Sequence, residues 1–114
     1  MSFEISIIDR VRTRIPEIGS DLIYELETTA LDRIKLRLGL TEFPIELNSI
    51  AVEVICAMYN RSFREGIKTE GVDTFSITFV DDILKEYETE FSRYLAIKEK
   101  QANTNRGVLR FLWD

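Results

Sequence analysis

The chain has 114 residues, 45% hydrophobic and 31% charged, with a net charge of −5 and no histidine. That length supports one core burying roughly two thirds of the unfolded surface, and the composition is too apolar for disorder and lacks a bilayer-spanning run. The acidic balance argues against a free-standing nucleic-acid binder, whose affinity comes from Lys and Arg on phosphates, although an acidic protein that lets DNA pass without holding it stays open. Without histidine the commonest general base and the commonest metal ligand are both missing. Met1-Ser2-Phe3-Glu4 carries neither the basic nor the apolar part of a signal peptide, which points to a protein made and kept in the cytoplasm. The single Cys56 agrees with a reducing compartment, since it has no internal disulfide partner.

Phe3, Ile7, Ile8, Val11 and Ile15 recur at helical spacing, with Ser2 as N-cap and Pro16 as stop. Gly19-Ser20-Asp21 opens a second helix, in which Ile23, Leu26, Ala30, Ile34 and Leu38 make the apolar stripe and Gly39 the terminator. Asp21, Glu25 and Glu27 early in it, and Arg33, Lys35 and Arg37 late, follow the helix dipole. Pro44 suits the first turn of a third helix. From Ile50 to Tyr59 only Glu53 is charged, so this helix is predicted to be the central, most buried element.

A Gly-punctuated excursion follows over 65–80. Phe75, Ile77 and Phe79 alternate with Thr74, Ser76 and Thr78, a pattern that predicts a short strand or hairpin. Asp81 or Asp82 is then expected to cap a fourth helix bearing Ile83, Leu84, Tyr87, Phe91, Tyr94 and Leu95. After Lys100 the chain turns polar, through Gln101, Asn103, Thr104, Asn105, Arg106 and Gly107, before the apolar end Val108, Leu109, Phe111, Leu112 and Trp113. The fold class expected is all-α: an antiparallel bundle of helices near 3–15, 20–38, 45–63 and 82–100, with the excursion between the last two and an extended C-terminal tail. Residues 1–100 form the helical domain, and 101–114 a linker and docking tail.

No catalytic, cofactor or metal site is expected. Cys56 lies among Val54, Ile55 and Ala57 with no histidine to activate it, and reads as a buried structural thiol. Asp81-Asp82, with Glu86, Glu88 and Glu90 nearby, are spread around a helix and read as an acidic first turn rather than a metal site. Arg10 with Arg14, and Arg33 with Arg37, share helix faces. Contact with phosphate is weighed there against solubility or pairing with acids of a neighbouring copy, and the second reading is favoured. The apolar end is different, because a chain terminus is disordered by default. Leu109, Phe111 and Trp113 alternate as an added strand would, while Val108, Phe111 and Leu112 suit one helical turn. Either way the end reads as a docking segment for another protein, with folding back onto its own bundle as the rival.

The order of helix, helix, apolar helix, Tyr59-Asn60-Arg61, Glu65-Gly66, Glu70-Gly71, Ser76-Ile77-Thr78-Phe79, Asp81-Asp82 and helix resembles the small head–tail connector (adaptor) proteins of tailed bacteriophages and prophages. The likeness covers about residues 20–97. It implies a ring of about a dozen copies with heterologous contacts between subunits, placed beneath the portal protein. Such a ring extends the DNA channel without specific binding and carries the next neck, stopper or tail component. No enzymatic role, cofactor or membrane is implied, and the location is the virion neck, with assembly in the host cytoplasm. On this reading Glu65, Gly66, Glu70, Gly71 and Asp73 face a neighbour or the channel, and Val108, Leu109, Phe111, Leu112 and Trp113 dock on the portal. The alternative is a cytoplasmic helical interaction or regulatory module, acting as a monomer or dimer.

Overall fold

The computed structural model describes residues 5–64 and 77–113, with side chains given for 5–62 and 79–104. Helix α1, Ile7–Arg14, starts on Ser6, whose hydroxyl accepts the Asp9 N–H at 3.0 Å. The helix was expected from about residue 3 with Ser2 as its cap, but residues 5 and 6 are not helical and Ser6 is the cap. Helix α2 spans Ser20–Leu38, the predicted range, and buries Ile23, Leu26, Ala30, Ile34 and Leu38. It stops at Gly39, whose φ of 72° is left-handed, while the Leu40 N–H reaches back to Lys35 O at 2.9 Å. That closing bond satisfies an end carbonyl, and glycine adopts the left-handed turn without steric cost.

Pro44 leads into a 3-10 turn, Ile45–Leu47, which feeds α3, Asn48–Tyr59. Half of α3 is buried: Ala51, Val52, Val54, Ile55, Cys56 and Met58. These positions occupy more than one face, so α1, α2 and α4 all pack against it. Its C-terminal end opens into a π turn, Asn60–Arg64. Helix α4, Ile77–Leu84, a 3-10 turn, Lys85–Tyr87, and α5, Glu88–Trp113, then follow as one helical run.

The structure corrects the expectation in three further places. Ile77, Thr78 and Phe79, expected to end a strand, begin α4, and no strand occurs among the described residues. The reason lies in a competing period, because Val80, Ile83, Leu84 and Phe91 recur at helical spacing and are all buried. Burying that stripe on the bundle outweighs a short alternation too brief to stand as a strand. The rest of the excursion, 65–76, lies outside the described residues. Asp81 and Asp82 consequently sit inside α4 and do not cap it. The C-terminal segment is not extended either, since the backbone of α5 stays helical through 101–107 to Trp113. Its polar run contains no proline, and one interior glycine costs only about 1 kcal/mol, too little to stop a helix already propagating.

Leu26, Ile34, Val54, Ile55, Met58 and Phe91 are fully buried as expected, while Leu95 is only partly covered. Truncating Ile55 to Ala is expected to cost about 2–5 kcal/mol by leaving a cavity. Gly39→Ala should cost about 1–2 kcal/mol through its left-handed φ alone, because a Cβ there meets nothing within 4 Å. Urea unfolding of both variants measures the two costs.

Candidate interaction surfaces

The described half of the motif that carried the resemblance lies where α3 ends. Tyr59 is the last residue of α3, and Asn60 and Arg61 open the π turn. Arg61 donates to Glu86 at 2.6 Å, tying that turn to the short 3-10 turn before α5. Asn60 Oδ1 and Ser62 Oγ are buried without a hydrogen-bond partner among the described residues. The described part of the motif therefore joins two helical units.

The four arginines weighed against phosphate are engaged within the chain. Arg14 bonds both Glu53 oxygens at 2.8 Å, and Arg10 reaches Ser49 Oγ at 3.0 Å. Arg33 holds Asp81 in a two-oxygen grip at 3.0 Å, with both side chains partly covered. Arg37 grips Glu88 through two nitrogens, its Nε donating to Oε1 at 2.8 Å. The favoured sequence reading was surface solubility or pairing with acids of a neighbouring copy, whereas the acids that meet Arg14, Arg33 and Arg37 belong to this chain. A planar guanidinium fork matches a carboxylate edge, so these pairs fix register as well as charge.

The same contacts account for the acidic cluster. Asp81, Glu86 and Glu88 each face an arginine and Asp82 faces Lys85 at 3.3 Å, so these carboxylates diverge toward separate cations. No group of three or more metal-ligating side chains comes together among the described residues. The cleft along this seam, lined by Arg33, Leu36, Arg37, Asp81, Leu84, Lys85 and Glu88, holds about 240 Å³. That is smaller than ordinary ligand pockets, and ion pairs rather than convergent unpaired groups line it. Cys56 is buried, and no described helix is long and apolar enough to cross a membrane.

Sequence reasoning missed the cross-seam partners because 25 to 51 positions separate them. The one legible signal was charge sign, basic late in α2 and acidic from 81 to 90. Glu65, Gly66, Glu70, Gly71 and Asp73 lie outside the described residues. Val108, Leu109, Phe111, Leu112 and Trp113 ride on the last turns of the α5 backbone.

The Arg37 bond holds the Glu88 carboxyl below the ordinary 4.5, and the Lys98 bond does the same for Glu46. A carboxylate lowered by folding stabilises the protein above its unfolded value, and that contribution is lost as pH falls through the folded one. Melting temperature should therefore fall as pH drops below about 4.5, the unfolded carboxylate range, and Glu88→Gln should flatten part of that slope. At neutral pH, Asp81→Asn should destabilise by about 1–2 kcal/mol, because Arg33 loses a charged acceptor while partly covered. Asp82→Asn, beside exposed Lys85, should shift stability by less than about 0.5 kcal/mol.

The family model described as phage gp6-like head–tail connector protein matches residues 20–94, from the start of α2 into α5. No curated protein and no solved structure matches the chain significantly. With most of its length matched, the chain belongs to the phage gp6-like head–tail connector family.

Proposed function

We propose that this connector-family chain is a structural subunit of the phage neck, assembling as a ring beneath the portal protein and passing the DNA path on to the next neck or tail component. The family match over residues 20–94 carries the reading, since it spans the helices that build the core. A ring needs two different surface patches on each subunit. The chain's described arginine pairs close internally, so those patches are assigned to residues 65–76 and the distal part of α5. About twelve copies closing one ring is the expected stoichiometry.

Glu65, Glu70 and Asp73 are assigned to the channel wall, with Gly66 and Gly71 allowing close approach to a neighbour. Carboxylates facing a duplex repel phosphate and let it slide, whereas cations would hold it with marked salt dependence. The net charge of −5 agrees with a conduit that does not grip its cargo. Val108, Leu109, Phe111, Leu112 and Trp113 are assigned to the portal contact. A helical backbone there favours insertion of an amphipathic helix into a groove over addition of a strand. Repetition around the ring would turn a weak single contact into a firm attachment.

Mixing the subunit with its cognate portal and imaging for an added ring layer tests the assembly; portals that gain no layer would sink it. Deleting Gly107–Asp114 is expected to abolish portal binding with little change in melting temperature, whereas a destabilised chain that still binds would assign the segment to its own bundle. Replacing Glu65, Glu70 and Asp73 together by Lys should create duplex binding at low salt, read by fluorescence anisotropy. Failure to gain such binding would put these residues outside the channel.

A further inference from the structure

Helix α5 leaves the core long before it ends. Phe91, in its first turn, is fully buried, and no residue from 92 to 104 is. Tyr94 and Leu95 are partly covered, and Ile97 is 49% exposed. Among the described residues, the long-range polar contact beyond Phe91 is a single one, Lys98 Nζ to Glu46 at 2.7 Å. Lys98 also sits 5.5 Å from the centre of the Tyr94 ring, which holds the ammonium over its own helix.

The other cross-seam pairs have a different setting. Asp81, Glu86 and Glu88 precede Phe91, alongside Val80, Ile83 and Leu84, which are buried in the core. Breaking one of them weakens a joint that packing already fixes. Glu46 stands on a firm post, because it belongs to the 3-10 turn whose next residue, Leu47, is buried and donates its N–H to Pro44 O at 3.0 Å. Lys98 stands on a helix that nothing described buries at that point. Their side chains are 42% and 50% exposed, so water screens the attraction.

We propose that the Glu46–Lys98 ion pair is a detachable pin that sets the angle of distal α5 to the bundle, with Leu95, the last residue of the helix packed on the core among those described, as the pivot. An exposed pair of this kind biases the pinned over the swung orientation by about 1.5- to 5-fold, so both are populated. Leverage makes that modest bias consequential. Trp113 lies about 27 Å beyond Leu95 along the helix, and a tilt of about 10° carries it about 5 Å sideways, close to one helical turn of rise. A partner that engages the end of α5 can then re-aim it by displacing one ion pair, without disturbing the core. The pin belongs to the isolated chain and is tested without any portal or ring.

Backbone residual dipolar couplings of the full chain report how well residues 96–104 share the alignment of α2. The expected result is a reduced alignment of α5 in Lys98→Glu, and a similar loss in the parent at about 1 M salt, where screening acts within about 3 Å. The charge-swapped double variant Glu46→Lys/Lys98→Glu should recover most of the low-salt alignment, while the couplings of α2 and α3 stay unchanged throughout. Unaltered α5 couplings in Lys98→Glu, or a swap that recovers nothing, would overturn the proposal. A large fall in the melting temperature of Lys98→Glu would overturn it as well, by making the pair a structural support.

Discussion

Everything in this molecule is arranged around the need to cover α3. A helix that buries Ala51, Val52, Val54, Ile55, Cys56 and Met58 leaves water only a narrow strip around Ser49 and Glu53. One neighbour covers only a stripe, so several elements must converge on it. Helix α1 covers one side, α2 another and α4 a third. Their own buried residues, Val11, Ile15, Ile23, Leu26, Ile34, Val80 and Ile83, close the shell. The core is almost free of polar groups, with Ser62 its sole buried polar residue among those described.

Apolar burial drives this convergence but is poor at fixing register, and the charged pairs supply that. Arg14–Glu53 locks α1 to α3, Arg33–Asp81 locks α2 to α4, Arg37–Glu88 locks α2 to the start of α5, and Arg61–Glu86 ties the π turn to the turn preceding α5. Each is at least partly solvated, and all but the partly covered Arg33–Asp81 pair add little net stability. For Arg33 and Arg37 the geometry matters more, since a two-pronged guanidinium contact tolerates little sliding between helices. The same pairing engages these four arginines within the chain.

Beyond Phe91 the balance changes. Among the described residues, apolar cover thins to Tyr94 and Leu95, and long-range polar contact narrows to Lys98 with Glu46. The described part of α5 past that point is therefore held more weakly than the core. Low local stability in elements that engage partners is expected on physical grounds, because such elements must rearrange at small free-energy cost.

The helices α1 to α3 and most of the core were legible in the residues because local and long-range forces agree there. The stripe of α2, its dipole-ordered charges and Gly39 point to the same span, and the unbroken apolar character of Ile50–Tyr59 leaves no place for α3 but the centre. The family, too, was legible in the spacing of Tyr59-Asn60-Arg61 and the residues after it. Where two local patterns competed, packing made the choice. Residues 77–79 alternate like a strand yet are wound into α4, because helical winding puts Val80, Ile83 and Leu84 into the core. The polar run after Lys100 resembles a linker yet stays helical, because nothing in it is able to break a helix already under way. Which acid meets which arginine is decided only when the helices dock: charge sign is written along the chain, but the few ångströms that make an ion pair exist only between folded elements.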